Sequence, residues 1–94
     1  MKRIRFTAHA EENLTAREIP REEAELTVRN PIYREPGRLP RETVSRLYFD
    51  SGIGEQMLLR VIIEETAAEI TVVTLYKTSK LKKYLPEEKD EGPL

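Results

Sequence analysis

The sequence predicts an α+β domain: two N-terminal helices packed on a three- to four-stranded antiparallel sheet, with a short C-terminal helix. Three observations lead there. Helix start and stop signals punctuate the first part of the chain up to Asn30-Pro31. From Thr43 onward, β-branched and aromatic residues alternate between glycine-bearing turns. No internal repeat appears, and the order of two helices followed by strands makes an α+β domain.

Each element has its own warrant. Ile4-Arg5-Phe6 reads as a short strand or an extended lead-in. Thr7 suits an N-cap, its hydroxyl accepting a free amide of the first turn, and opens a helix from Ala8 to about Arg17. Ala10 and Leu14 form its apolar stripe, while His9, Asn13 and Arg17 follow one flank at four-residue spacing. Pro20 is placed as the first residue of a second helix, and Glu22 and Glu23 favour its N-terminal dipole. Asn30-Pro31 ends it, because the residue before proline is pushed out of the α region.

"REPGRLPRE" reads as a loop, and Thr43 to Phe49 as a strand ending at the turn Ser51-Gly52-Ile53-Gly54. In "QMLLRVIIEE" the alternation sends Met57, Leu59, Val61 and Ile63 toward the helices and Arg60 to the other face. Thr66 to Glu69 makes a hairpin connection. "ITVVTLYK" follows, with Ile70, Val72, Thr74 and Tyr76 expected on one face. Ser79 is the expected N-cap of the last helix, which carries Leu81, Tyr84 and Leu85. The domain is assigned to 1–86, and the acidic stretch 87–94 to a flexible tail.

Composition narrows the function. Ninety-four residues have room for one core. With 35% charged and 38% hydrophobic residues, the chain is polar but still globular. It has no cysteine, which excludes disulfides, thiolate metal sites and cysteine nucleophiles. The basic N-terminus is not followed by a signal-length apolar stretch, and no run is long enough to span a membrane, so a cytoplasmic protein is expected. The single histidine and scattered carboxylates have no metal-ligand spacing, and no phosphate-cradling glycine loop is present; no metal and no cofactor are expected.

The net charge of −1 hides two basic segments. Residues 29–48 hold five arginines against Glu35 and Glu42, and residues 77–84 hold four lysines. Arg46 with Tyr48 can grip phosphate and stack on an unpaired base; equally, the arginines of this run can pair with Glu35 and Glu42. Lys77 and Lys80 can follow a nucleic-acid backbone, or belong to an amphipathic helix that docks on the domain or a partner. Arg60, among apolar residues, is either half-buried against a carboxylate or exposed to an anionic substrate. His9 near a helix N-terminus has its charged form disfavoured, which suits a general base, or it simply caps the helix.

Three stretches together carry a resemblance: "FTAHAEENLTAREIPREEAELTVRNP", "LLRVIIEE" and "ITVVTLYKTSKLKKYL". Thr7, His9, Ala10, Arg17, Ile19, Asn30, Pro31 and the run Tyr76 to Lys80 stand at its motif positions. The chain resembles a small bacterial domain-of-unknown-function family related to the RelE/ParE-like toxin superfamily. The resemblance implies a RelE-like fold and a toxin of a toxin–antitoxin system acting as a metal-independent endoribonuclease. His9 would then be base or acid, Arg17 would stabilise phosphate together with Arg46 and Arg60, which are placed by the strand reading rather than by motif positions, and Tyr76 or Lys77 would assist. A small antitoxin and RNA would be the partners. The slight acidity of the chain departs from the basic character usual in that superfamily.

The rival reading is a non-catalytic protein–protein interaction module, including a homodimer that uses a sheet edge or the C-terminal segment. The two readings diverge on geometry. The enzyme requires His9, Arg17 and Arg60 to converge on an electropositive groove, whereas the module requires an exposed apolar surface.

Overall fold

Two helices cover one face of a five-stranded sheet in the computed structural model, which describes residues 2–85. In chain order the elements are β1 (Arg3–Phe6), α1 (Ala8–Ala16), α2 (Arg21–Arg29), β2 (Tyr33–Pro36), β3 (Arg41–Asp50), β4 (Glu55–Glu65), β5 (Glu69–Thr78) and α3 (Leu81–Tyr84). The sheet order is β1-β5-β4-β3-β2. The acidic tail and Pro86 lie outside the described residues.

The α+β class with two N-terminal helices and a short C-terminal one is as expected, but the sheet is larger and mixed. β1 pairs in parallel with β5, from Arg3 opposite Glu69 to Phe6 opposite Val72. The helical pair carries the chain across the sheet face, so β1 and β2 end at opposite edges. β2 falls partly in the segment read as a loop, and Pro36 misled that reading. At a sheet edge a proline removes no ladder bond, and Tyr33–Pro36 pairs antiparallel with β3.

Thr7 caps α1 as expected, its Oγ1 accepting from the Ala10 amide at 3.0 Å. The same hydroxyl donates to the Val73 carbonyl at 2.9 Å, which ties the helix start to β5. At the other end the Glu18 amide returns to the Thr15 carbonyl and the Ile19 amide to that of Leu14. This is a Schellman closure with Glu18, at φ 55°, in the left-handed position where glycine is usual. Pro20 stands one position earlier than expected, as the N-cap of α2, its carbonyl accepting from Glu23 and Ala24.

Met57, Leu59, Val61 and Ile63 join Ala10, Leu14, Ala24 and Val28 in the core, as the alternation required. β5 departs from its expected alternation. Ile62 pairs with Thr74 but Ile63 pairs with Val72, so Val73 is an extra, bulged residue. Val72 and Leu75 therefore both enter the core, and Tyr76 moves to the opposite face. Ser79 does not cap α3. β5 runs on to Thr78, a tight turn joins the Leu81 amide to the Ser79 carbonyl, and Lys80 takes the cap position without a side-chain bond.

Candidate functional site

On the sheet face away from α1 and α2, the strand register lines up Tyr33, Ser45, Arg60 and Tyr76 in one row. Arg60 is 7% exposed. Its Nε donates to the Tyr76 hydroxyl at 2.7 Å and its Nη1 to Glu35 Oε2 at 2.9 Å. Its guanidinium lies 4.2 Å from the ring centroid of Tyr84, which α3 brings over the sheet. Burial works against the charge, but the bonds to Glu35 and Tyr76 outweigh it and hold the guanidinium pKa above its usual value. The Tyr84 phenol is held below its ordinary value, chiefly by the Tyr76 hydroxyl and, against burial, by the charges of Lys83 and Arg60. Ser45 is fully buried in the same row and its hydroxyl has no hydrogen-bond partner.

The opposite face gathers three of the four residues expected to bind RNA. Arg46 and Lys77 flank Leu59 in one register row, and Tyr48 follows Arg46 on the same side of β3. Each is committed to an acid. Arg46 Nη1 donates to Glu23 Oε1 at 2.7 Å, and Lys77 Nζ donates to Asp50 Oδ2 at 2.5 Å and to the Glu18 carbonyl at 3.2 Å. Tyr48 is 5% exposed and packs in the core, so it presents no ring face to a base. Burial first and Asp50 second push its phenol up to about 12. The bond from Lys77 holds the Asp50 carboxyl below its usual value against the opposing effect of burial. Beside this cluster is a cleft of about 260 Å³ whose walls include Glu18, Glu23, Phe49 and Asp50. Lys80, the fourth candidate, is exposed at the start of α3.

His9 on α1 and Arg17 at its C-cap are exposed, with no side-chain hydrogen bond among the described residues. They share the helix layer, whereas Arg60 and Tyr76 lie beyond the sheet. The four residues expected to be catalytic are therefore split by the sheet itself. Every cation assigned to phosphate and buried at least in part, namely Arg46, Arg60 and Lys77, has a carboxylate within 2.9 Å. No group of three acidic or histidine side chains among the described residues is placed to hold a metal ion, and no helix among them is long and apolar enough to cross a membrane.

The sequence reading missed the carboxylates Glu23 and Asp50 as partners, and it missed the strand edge. β2 covers β3 only from Glu42 to Ser45. The Gly37 amide bonds to the Arg41 carbonyl, and this phase sends the amide and carbonyl groups of odd-numbered β3 residues toward β2. The unbroken β3–β4 register carries that phase to Asp50. The main-chain groups of Leu47 and Phe49 therefore point outward, past the end of β2, with no pairing strand among the described residues. Among the described residues, three of the five large, exposed hydrophobic residues lie on this stretch or adjoin its ends: Ile32 (56% exposed), Phe49 (64%) and Ile53 (51%). Alternation in "SRLYFD" together with the turn at Gly52 was the available signal. No protein-family model matches this chain, and no curated protein or solved structure matches it either.

Proposed function

We propose that this chain is a non-catalytic protein–protein interaction module that engages its partner through the open edge of β3. The observation that carries this reading is the main chain of Leu47 and Phe49, which has no pairing strand among the described residues, with exposed Phe49 on it and exposed Ile32 and Ile53 at its ends. Such an edge binds an extended strand through backbone hydrogen bonds and adds apolar contact beside them. The ion pairs at Arg46, Arg60 and Lys77 favour the same reading, since phosphate would have to displace a carboxylate from each. A RelE-like identity for the scaffold belongs to this proposal, supported by the motif residues and by the order of two helices followed by a sheet.

A second reading, RNA cleavage by a toxin held in check by an antitoxin, keeps one observation in its favour. His9 and Arg17 are exposed at the start and the C-cap of one helix, with no side-chain hydrogen bond among the described residues. A photo-crosslinking amino acid at position 49, with one at the exposed position 12 as control, separates the two in living cells. The module gives a discrete covalent product from position 49 only. No product there, together with growth arrest and new RNA ends that His9→Ala abolishes, would replace it with the ribonuclease.

A further inference from the structure

The open segment of β3 is complementary to itself, and we infer that its partner is a second copy of this chain, joined edge to edge in antiparallel fashion about a two-fold axis beside Tyr48–Phe49. This deepens the interaction-module reading and rests on it.

The other edges are guarded. β1 is four residues long and carries Arg3 and Arg5; β2 is four residues long and carries Arg34 and Pro36. Short length, charge and proline all discourage strand addition. The stretch from Arg46 to Asp50 has no proline, and no charge stands on the face that carries Leu47 and Phe49.

Direction follows from the two ends of the segment. Ile32 adjoins one end, its amide bonded to the Ser45 carbonyl at 2.8 Å. Ile53 adjoins the other, its amide bonded to the Asp50 carbonyl at 3.2 Å. An antiparallel copy brings the Ile32 end of one chain against the Ile53 end of its partner, twice by symmetry. A parallel partner would set like ends together and cannot close about a two-fold axis. Because β2 occupies the lane as far as Ser45, the overlap is confined to the segment past it, which places the axis near Tyr48–Phe49. The outward groups of Leu47 and Phe49 then gain ladder bonds, and the two Phe49 rings are covered.

Sedimentation equilibrium of the purified full chain tests this. The wild type should show twice the 10.9 kDa chain mass at high concentration. Phe49→Lys, at an exposed site, should keep the far-ultraviolet spectrum and raise the dimer dissociation constant at least about tenfold. Leu47→Pro should do the same by deleting an amide that has no partner among the described residues. Leu39→Lys, at an exposed apolar site elsewhere, should leave the dimer intact. A wild type that stays monomeric, or a dimer unchanged by Phe49→Lys, overturns the inference. A monomer that still crosslinks from position 49 to a different protein overturns the homodimer and leaves the module standing.

Discussion

Lys77 Nζ donates to Asp50 Oδ2 at 2.5 Å, and the two side chains are only 12% and 9% exposed. The pair joins the C-terminal half of β5 to the end of β3 across β4, and the Lys77 ammonium also reaches the Glu18 carbonyl after α1. Two charges so enclosed hold each other, because neither can recover full hydration when the other is removed.

Removing one partner should therefore cost more than removing both. Lys77→Met is expected to destabilise the fold more than Lys77→Met combined with Asp50→Leu, as measured by urea unfolding of the four members of the cycle. The pH dependence has a defined direction. Asp50 titrates lower in the folded chain than unfolded, so its contribution is complete above the unfolded carboxylate pKa and fades as pH falls through the folded value. The Asp50→Leu variant should lose that acid-side slope. Equal losses for the single and double variants would show that the pair is not coupled.

Tyr48 makes the opposite prediction at the alkaline end. Its phenol is raised from 10.0 to about 12 in the fold, so the neutral form is favoured there. Its contribution is complete below pH 10 and is lost as pH rises toward 12. The loss should be about 2–3 kcal/mol. Tyr48→Phe, measured by alkaline unfolding, should flatten that part of the profile. A wild-type profile no steeper than that of the variant would count against the burial of the hydroxyl beside Asp50.

Arg60 should behave as a structural residue. Arg60→Ala leaves Glu35 and the Tyr76 hydroxyl without their donor, and the expected cost is about 3 kcal/mol. That is the low end for a broken buried ion pair, because Glu35 keeps access to water. The loss is read as a lower urea midpoint with an unchanged m-value. A cost within about 0.5 kcal/mol would match an exposed surface residue instead.

Glu18 offers a gain. Its left-handed conformation at φ 55° strains a side-chain-bearing residue, so Glu18→Gly should stabilise the chain by about 1 kcal/mol. The backbone carbonyl that accepts from Lys77 is retained in that variant. A lower melting temperature would show that the Glu18 side chain contributes more than its backbone costs.

The elements were legible wherever the signal was local. Thr7 as a cap, the stop at Asn30-Pro31 and the alternation through Met57 to Ile63 each follow from steric and burial rules acting over a few residues. The Val73 bulge was not legible, because it exists only in the β4–β5 register, and the Val73 carbonyl accepts from a Thr7 hydroxyl 66 residues away in sequence. Strict alternation puts Tyr76 on the face of Val72, whereas the bulge turns it to the opposite face, where it meets Arg60 and Tyr84. The candidate site suffered most. His9, Arg17 and Tyr76 stand at motif positions and Arg60 follows from the strand pattern, yet strand order and register decide which side of the sheet each one occupies.

By itself the sequence determined the α+β class, the two N-terminal helices, the buried face of β4 and the chemistry available: arginines, lysines and tyrosines, with one histidine and no thiol. Tertiary structure alone decided which charges face each other, since ion pairing depends on distance in space. It placed Glu23, Glu35 and Asp50 on the cations that would otherwise grip phosphate. It also stopped β2 at Ser45 and left Leu47 and Phe49 with main-chain groups that a neighbouring strand can satisfy.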